Sequence, residues 1–171
     1  VWVDDWNRGI AAERNAVVLS VPSVLDPAMA PQGRHVLHGY TPASEPWDLW
    51  CDVGRGSKAY NALKRSRCEV FWSVLERQIP DIRQRCDLVM EGTPLTHRHY
   101  LNVHRGSYGP ALSATGGLFP GVTTPITALW LCGASTFPGI GIPPVAASGA
   151  LAAHGIVGRQ AQRSLLNQLD L

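Results

Sequence analysis

The chain has 171 residues, 45% of them hydrophobic and 16% charged, with 17 Gly and 13 Pro, a composition suited to one folded, loop-rich domain and too apolar for a disordered chain. Fifteen basic side chains against 13 acidic ones leave a formal charge of +2, a near balance that sets nucleic-acid binding aside. Cys51, Cys68, Cys86 and Cys132 form no C-x-x-C pair, so neither a zinc site nor a disulfide framework is signalled, and no uninterrupted apolar run nears the roughly 18 residues that span a bilayer.

The chain opens at Val1 on Val-Trp-Val-Asp-Asp-Trp, with no leader pattern; any targeting segment is expected upstream. Residues 15–21 are a β-branched run stopped by Pro22, the form of a strand buried on both faces. A second short run at 35–40 ends on Thr41-Pro42, and the two together predict strands joined by a connecting turn. From 57 to 79, Tyr60, Leu63, Val70, Phe71, Val74 and Leu75 recur at helical spacing among Lys64, Arg65, Arg67, Glu69 and Arg77, which predicts a long amphipathic helix. Ser57 can cap its first turn and Pro80 cannot extend it.

Residues 86–91 alternate polar and apolar side chains and predict a strand. Thr93 followed by Pro94 predicts a short capped helix to Leu101, and the Gly- and Pro-rich stretch 106–125 predicts a long loop of the functional kind. Leu129-Trp130-Leu131-Cys132-Gly133 reads as an apolar strand, 134–141 as a turn-rich loop, and Pro143-Pro144 opens a helix to at least Gly158 with a weaker tail to about Gln168. The basic clusters Lys64-Arg65-Ser66-Arg67, His97-Arg98-His99 and His104-Arg105 read as solvated faces. His97 and His99, two apart on a helix, point to different faces and with His104 make no metal set. Ser148-Gly149 lies inside a helix, which gives a hydrolase no nucleophile elbow.

Strand, Gly-rich loop and helix across 129–153 form an arrangement that can receive a phosphate or a cofactor. Gly133, Gly139 and Gly141 permit backbone shapes and close approaches that a Cβ would block. The helix after them brings unpaired N–H groups and its positive dipole end to an electron-rich ligand. The small residues 145–153 allow a flat ligand to approach, or equally a tight packing of the helix on a sheet.

Three segments carry a resemblance. Gly92-Thr93-Pro94-Leu95-Thr96-His97, Arg105-Gly106-Ser107-Tyr108-Gly109-Pro110 and the run from Cys132-Gly133-Ala134-Ser135-Thr136 through Gly139-Ile140-Gly141-Ile142-Pro143-Pro144 to Val145-Ala146-Ala147-Ser148-Gly149 resemble the C-terminal blocks of the carotenoid isomerases and their phytoene-desaturase and retinol-saturase relatives. Val18-Leu19-Ser20-Val21-Pro22 and His35-Val36-Leu37-His38 are similar to the isomerase branch, so the likeness covers nearly the whole chain. It implies an α/β fold: the C-terminal part of an FAD/NAD(P)-binding, Rossmann-like two-domain flavoprotein, a mixed sheet with a long amphipathic helix, its N-terminal dinucleotide-binding half missing. Residues 1–125 would then be part of the substrate domain and 126–171 the last strand and helix of the FAD domain. No Gly-x-Gly-x-x-Gly turn follows a strand in this sequence.

The resemblance also implies FAD as cofactor, held in part by Gly133, Ala134, Gly141, Ile142, Pro143, Val145 and Ala146. The Gly133 loop would meet the ribityl chain, and the helix start at 142–146 would face the isoalloxazine. The family commonly has an acidic residue where this chain has Ala134, a loss that lowers FAD affinity roughly tenfold unless Ser135, Thr136 or water substitutes. The implied substrate is an apolar polyene and the implied reaction cis-to-trans isomerisation of carotenoids, with desaturation, saturation, or a non-catalytic remnant as alternatives. The implied location is a plastid, with peripheral membrane association. No side chain stands out as a catalytic acid or base.

Overall fold

The computed structural model describes residues 1–42, 45–107 and 119–169, which fall into two compact units, within Val1–Tyr108 and Gly109–Leu171. In the first unit, β1 (Trp2–Val3), β2 (Ala16–Ser20) and β3 (His38–Tyr40) form a three-stranded sheet in the order β1-β2-β3. Both pairings are antiparallel, with Val17 opposite Trp2 and Leu19 opposite Gly39, where the sequence reading expected a mixed sheet. Asn15 is fully buried and shapes the turn before β2: its Nδ2 donates to the carbonyls of Asp5 (2.8 Å) and Gly9 (2.9 Å), and its Oδ1 accepts from Asp5 N (3.0 Å).

β2 is buried only at its start, at Ala16 and Val17, and opens to solvent by Ser20, so it is not the doubly covered strand expected of it. The second run forms a strand over three residues alone. At Gly39 a Cβ would lie 2.8 Å from Leu19 Cδ2 and 3.3 Å from Phe71 Cδ1, so the missing side chain lets a helix lie close on the sheet.

That helix is α1 (Lys58–Gln78). Ser57 caps it, its Oγ accepting from Tyr60 N at 3.1 Å, and Ile79 N donates to Leu75 O at 2.9 Å before Pro80 ends the run. Tyr60, Cys68, Val74 and Leu75 are buried along it. Arg67 turns inward as well: its Nε and Nη2 donate to Glu45 at 2.7 and 2.9 Å, a forked pair, and its Nη1 meets Glu13. Trp50 Nε1 donates to the same Glu45 at 3.0 Å. Burial pushes the Cys68 thiol up to about 12.

After α2 (Ile82–Arg85), residues 86–91 are irregular rather than a strand. Alternation predicts a strand only where an edge is free to pair, and here Leu88 and Met90 stand 77% and 86% exposed with no ladder beside them. α3 (Pro94–Leu101) has the expected Thr93 cap as part of a reciprocal capping box: Thr93 Oγ1 accepts from Thr96 N (3.3 Å) and Thr96 Oγ1 from Thr93 N (3.1 Å). Tyr60 OH meets Thr93 Oγ1 at 3.1 Å, and Trp50, Tyr60 and Leu95 form the buried cluster that joins α1 to α3.

In the second unit the expected strand 129–133 reduces to a single bridge, Thr123 with Trp130, and one further bond from Leu131 N to Val122 O (2.8 Å). Among its described residues this unit contains no sheet. α4 (Ile142–Val157) and α5 (Arg159–Gln168) follow, separated at Gly158, whose φ of 81° breaks the helix. The loop expected over 106–125 falls largely on residues 108–118, outside the described residues, as do Tyr108, Gly109 and Pro110 of the second quoted segment. No helix among the described residues is long and apolar enough to cross a membrane.

Candidate functional site

The loop before α4 is held by backbone geometry and one buried hydroxyl. Gly133, Gly139 and Gly141 take φ of 117°, 119° and 108°, values that L side chains resist. Gly133 N donates to Ser148 Oγ at 2.8 Å, and Ser148 Oγ donates to Val145 O at 2.7 Å. Ser148 is fully buried, so the loop is pinned to the second turn of α4 through a satisfied polar contact. Thr136 N donates to Gly133 O (3.0 Å) and Phe137 N to Pro120 O (2.7 Å), while a Cβ on Gly139 would touch the Phe119 ring at 3.3 Å.

The predicted site residues lie around this pin. Gly133 and Val145 are half-buried on either side of Ser148; Ala134, Gly141, Ile142, Pro143 and Ala146 are exposed. Together they make a surface of small and apolar side chains at the start of α4, open to a flat ring. Of the two hydroxyls after Ala134, Thr136 is buried and Ser135 exposed.

The supply of N–H groups is smaller than the sequence reading assumed. Val145 N is already bonded to Gly141 O at 2.9 Å, and Pro143 and Pro144 have none. In the first turn Ile142 N–H is therefore the one left to point at a ligand, and most of the attraction for negative charge must come from the helix dipole. Ser148 was missed in the sequence, where it reads as one small residue among many. The signal was a hydroxyl three residues after Val145, placed to bond its carbonyl.

A second feature of this unit is a pocket of about 490 Å³ lined by Gly121, Val122, Thr123, Trp130, Phe137, Leu151, His154 and Gly155. Gly155 makes room for the Trp130 ring that forms one wall, since a Cβ there would overlap it. In the first unit, a polar cavity of about 470 Å³ is lined by Trp47, Arg98, Asn102, Val103, His104 and Arg105, with Arg98 over the Trp47 ring at 5.5 Å. His99 packs edge-on against Tyr100 at 4.8 Å. Among the described residues no three His, Cys, Asp or Glu side chains gather as metal ligands.

Along 158 residues, 90% of the chain, 38% of positions are identical to the chloroplastic prolycopene isomerase of Daucus carota. The relatives of this chain at 36–38% identity over 90% of its length are prolycopene isomerases. The Arabidopsis thaliana prolycopene isomerase is 37% identical over the same length, and the all-trans-retinol 13,14-reductase of Rattus norvegicus 28% over 127 residues, 68% of the chain and 21% of the reductase. The chain spans about a quarter of the curated isomerases it matches, 25% of the Daucus protein and 26% of the Arabidopsis one. No family model matches the chain, and no solved structure does.

Proposed function

We propose that this chain is the C-terminal portion of an FAD-dependent polyene isomerase that converts poly-cis carotenoids of the prolycopene type to trans forms with reduced FAD. The observation that carries the reading is the identity to prolycopene isomerases along 90% of the chain. FAD would supply a reduced, electron-rich ring that shares electrons with the polyene without net redox change. Gly133 and Ala134 would hold the ribityl side, and Gly141, Ile142, Pro143, Val145 and Ala146 would hold the ring, where the α4 dipole and Ile142 N–H would favour negative charge. The apolar side chains of this surface would exclude water from the ring.

In this reading residues 1–125 belong to the substrate domain and 126–171 to the FAD domain, and the pyrophosphate-binding half is supplied by polypeptide outside this chain. The protein works in a plastid, as the chloroplastic isomerases do, at the membranes where carotenoids dissolve. Two alternatives rest on observations. Desaturation or saturation is favoured by the 28% identity to the phytoene desaturase of Rhodobacter capsulatus and to the retinol reductase, and loss of catalysis by the methyl of Ala134 where an acceptor would bind the ribityl chain.

The test measures flavin retained by the full-length parent protein and by its Ala134→Asp variant after incubation with FAD and removal of free cofactor, followed by chromatography of lycopene isomers under reducing conditions. Retention by both, about tenfold tighter in the variant, with prolycopene converted to the all-trans isomer, is the expected result. Flavin held only by Ala134→Asp would mark a non-catalytic relative, and flavin held by neither would overturn the assignment.

A further inference from the structure

The pocket at the C-terminal half of α4 is chemically distinct from the surface proposed for FAD. Leu151, which lines it, lies nine residues after Ile142, about 13 Å along a helix rising 1.5 Å per residue. Its walls are apolar, from Val122, Trp130, Phe137 and Leu151, and its polar side chains are Thr123 and His154.

The hydrogen-bonding state of His154 is dictated by α5. Gln162 Nε2 donates to the carbonyl of Ala150 at 2.8 Å; a carbonyl can only accept, so the amide nitrogen must be the end that faces it. The amide oxygen is then the end that lies 3.0 Å from His154 Nδ1, and that oxygen can only accept. Nδ1 therefore carries the proton in the neutral ring, and Nε2 is left as a bare acceptor. A concave apolar space of some hundreds of Å³ with a few convergent polar groups is the general form of a small-molecule site.

We propose that this pocket binds a small apolar molecule bearing a hydroxyl, whose proton is donated to His154 Nε2, with Gln162 as the positioning residue that fixes the accepting tautomer. A hydroxyl is selected over an ether because an ether oxygen facing Nε2 opposes lone pair to lone pair and leaves both acceptors unpaired. Thr123, which both donates and accepts, does not discriminate between the two.

The probes are 6-bromohexan-1-ol and its methyl ether, which differ at the donor proton and whose bromine quenches tryptophan fluorescence. In the unaltered protein the alcohol should quench saturably and bind about tenfold more tightly than the ether, and Trp130→Phe should remove most of the quenched signal. His154→Phe should bring the two probes within about twofold. Gln162→Leu, which keeps the imidazole but frees its tautomer, should leave the alcohol within about twofold and strengthen the ether, because a hydroxyl pairs with either tautomer and an ether only with a protonated Nε2; a merely structural role would weaken both. Equal binding of alcohol and ether to the unaltered protein, or no saturable quenching by either, would overturn the proposal without requiring any variant to fold.

Discussion

At Gly106 the backbone φ is 63°, and the space a Cβ needs is filled by the carbonyl of Pro94. The two residues come from separate segments of the sequence, the capped start of α3 and the turn His104–Gly106 that follows it. Their contact explains why glycine stands there: the left-handed backbone alone costs an alanine about 1 to 2 kcal/mol, and the overlap adds to it. Gly106→Ala should destabilise the protein by at least about 2 kcal/mol in urea unfolding. Gly33→Ala is the control, since Gly33 has a φ of 75° in the turn closed by Arg34 N to Pro31 O and nothing within 4 Å, and should lose only about 1 kcal/mol. Equal losses at both positions would show that the Pro94 contact carries no weight. The sequence marked Gly106 as a residue of a loop; what it packs against depends on where the chain returns.

For whole elements, what could be read from the sequence divides by how local each signal is. α1 begins and ends where Ser57 and Pro80 place it, because a cap and a proline act within one turn. The runs 86–91 and 129–133 have equally good strand patterns, yet a strand exists only with a neighbour, and among the described residues the first has none and the second only the single Thr123–Trp130 bridge. The basic cluster around Arg67 predicts a solvated face; its partners Glu13 and Glu45 lie far off in sequence, and only the fold brings them to it. The caps supply a measurable contrast. Ser57→Ala removes one bond to a helix-end N–H and should cost about 1 kcal/mol. Thr93→Ala removes the capping box of α3 and also the nearer of two hydroxyls that Tyr60 OH meets, Thr96 Oγ1 lying at 3.4 Å, and should cost about 2 kcal/mol. Denaturant midpoints of the two variants, compared with the unaltered chain, test the ordering; a smaller loss at Thr93 would mean that Tyr60 finds another partner.

Across the whole molecule, α4 has the composition of a helix enclosed on all sides, since its sixteen residues include one histidine, one serine and no charge. The Gly and Pro that punctuate the loop before it made the candidate site legible in the sequence, while the Ser148 pin and the orientation of His154 were not, because both depend on contacts between elements. Yet Ile142, Ile156 and Val157 are 87%, 63% and 56% exposed, and an apolar surface of this kind marks a place where another surface docks. The chain alone should therefore enhance the fluorescence of a dye such as anilinonaphthalene sulfonate and self-associate as concentration rises. Ile156→Lys should weaken both effects while leaving the unfolding midpoint within about 0.5 kcal/mol of the original, because the position is solvent-facing and a cation suits the C-terminal end of a helix. If instead the substitution costs several kcal/mol and leaves dye binding unchanged, Ile156 is packed within this unit and the apolar face of α4 is already covered.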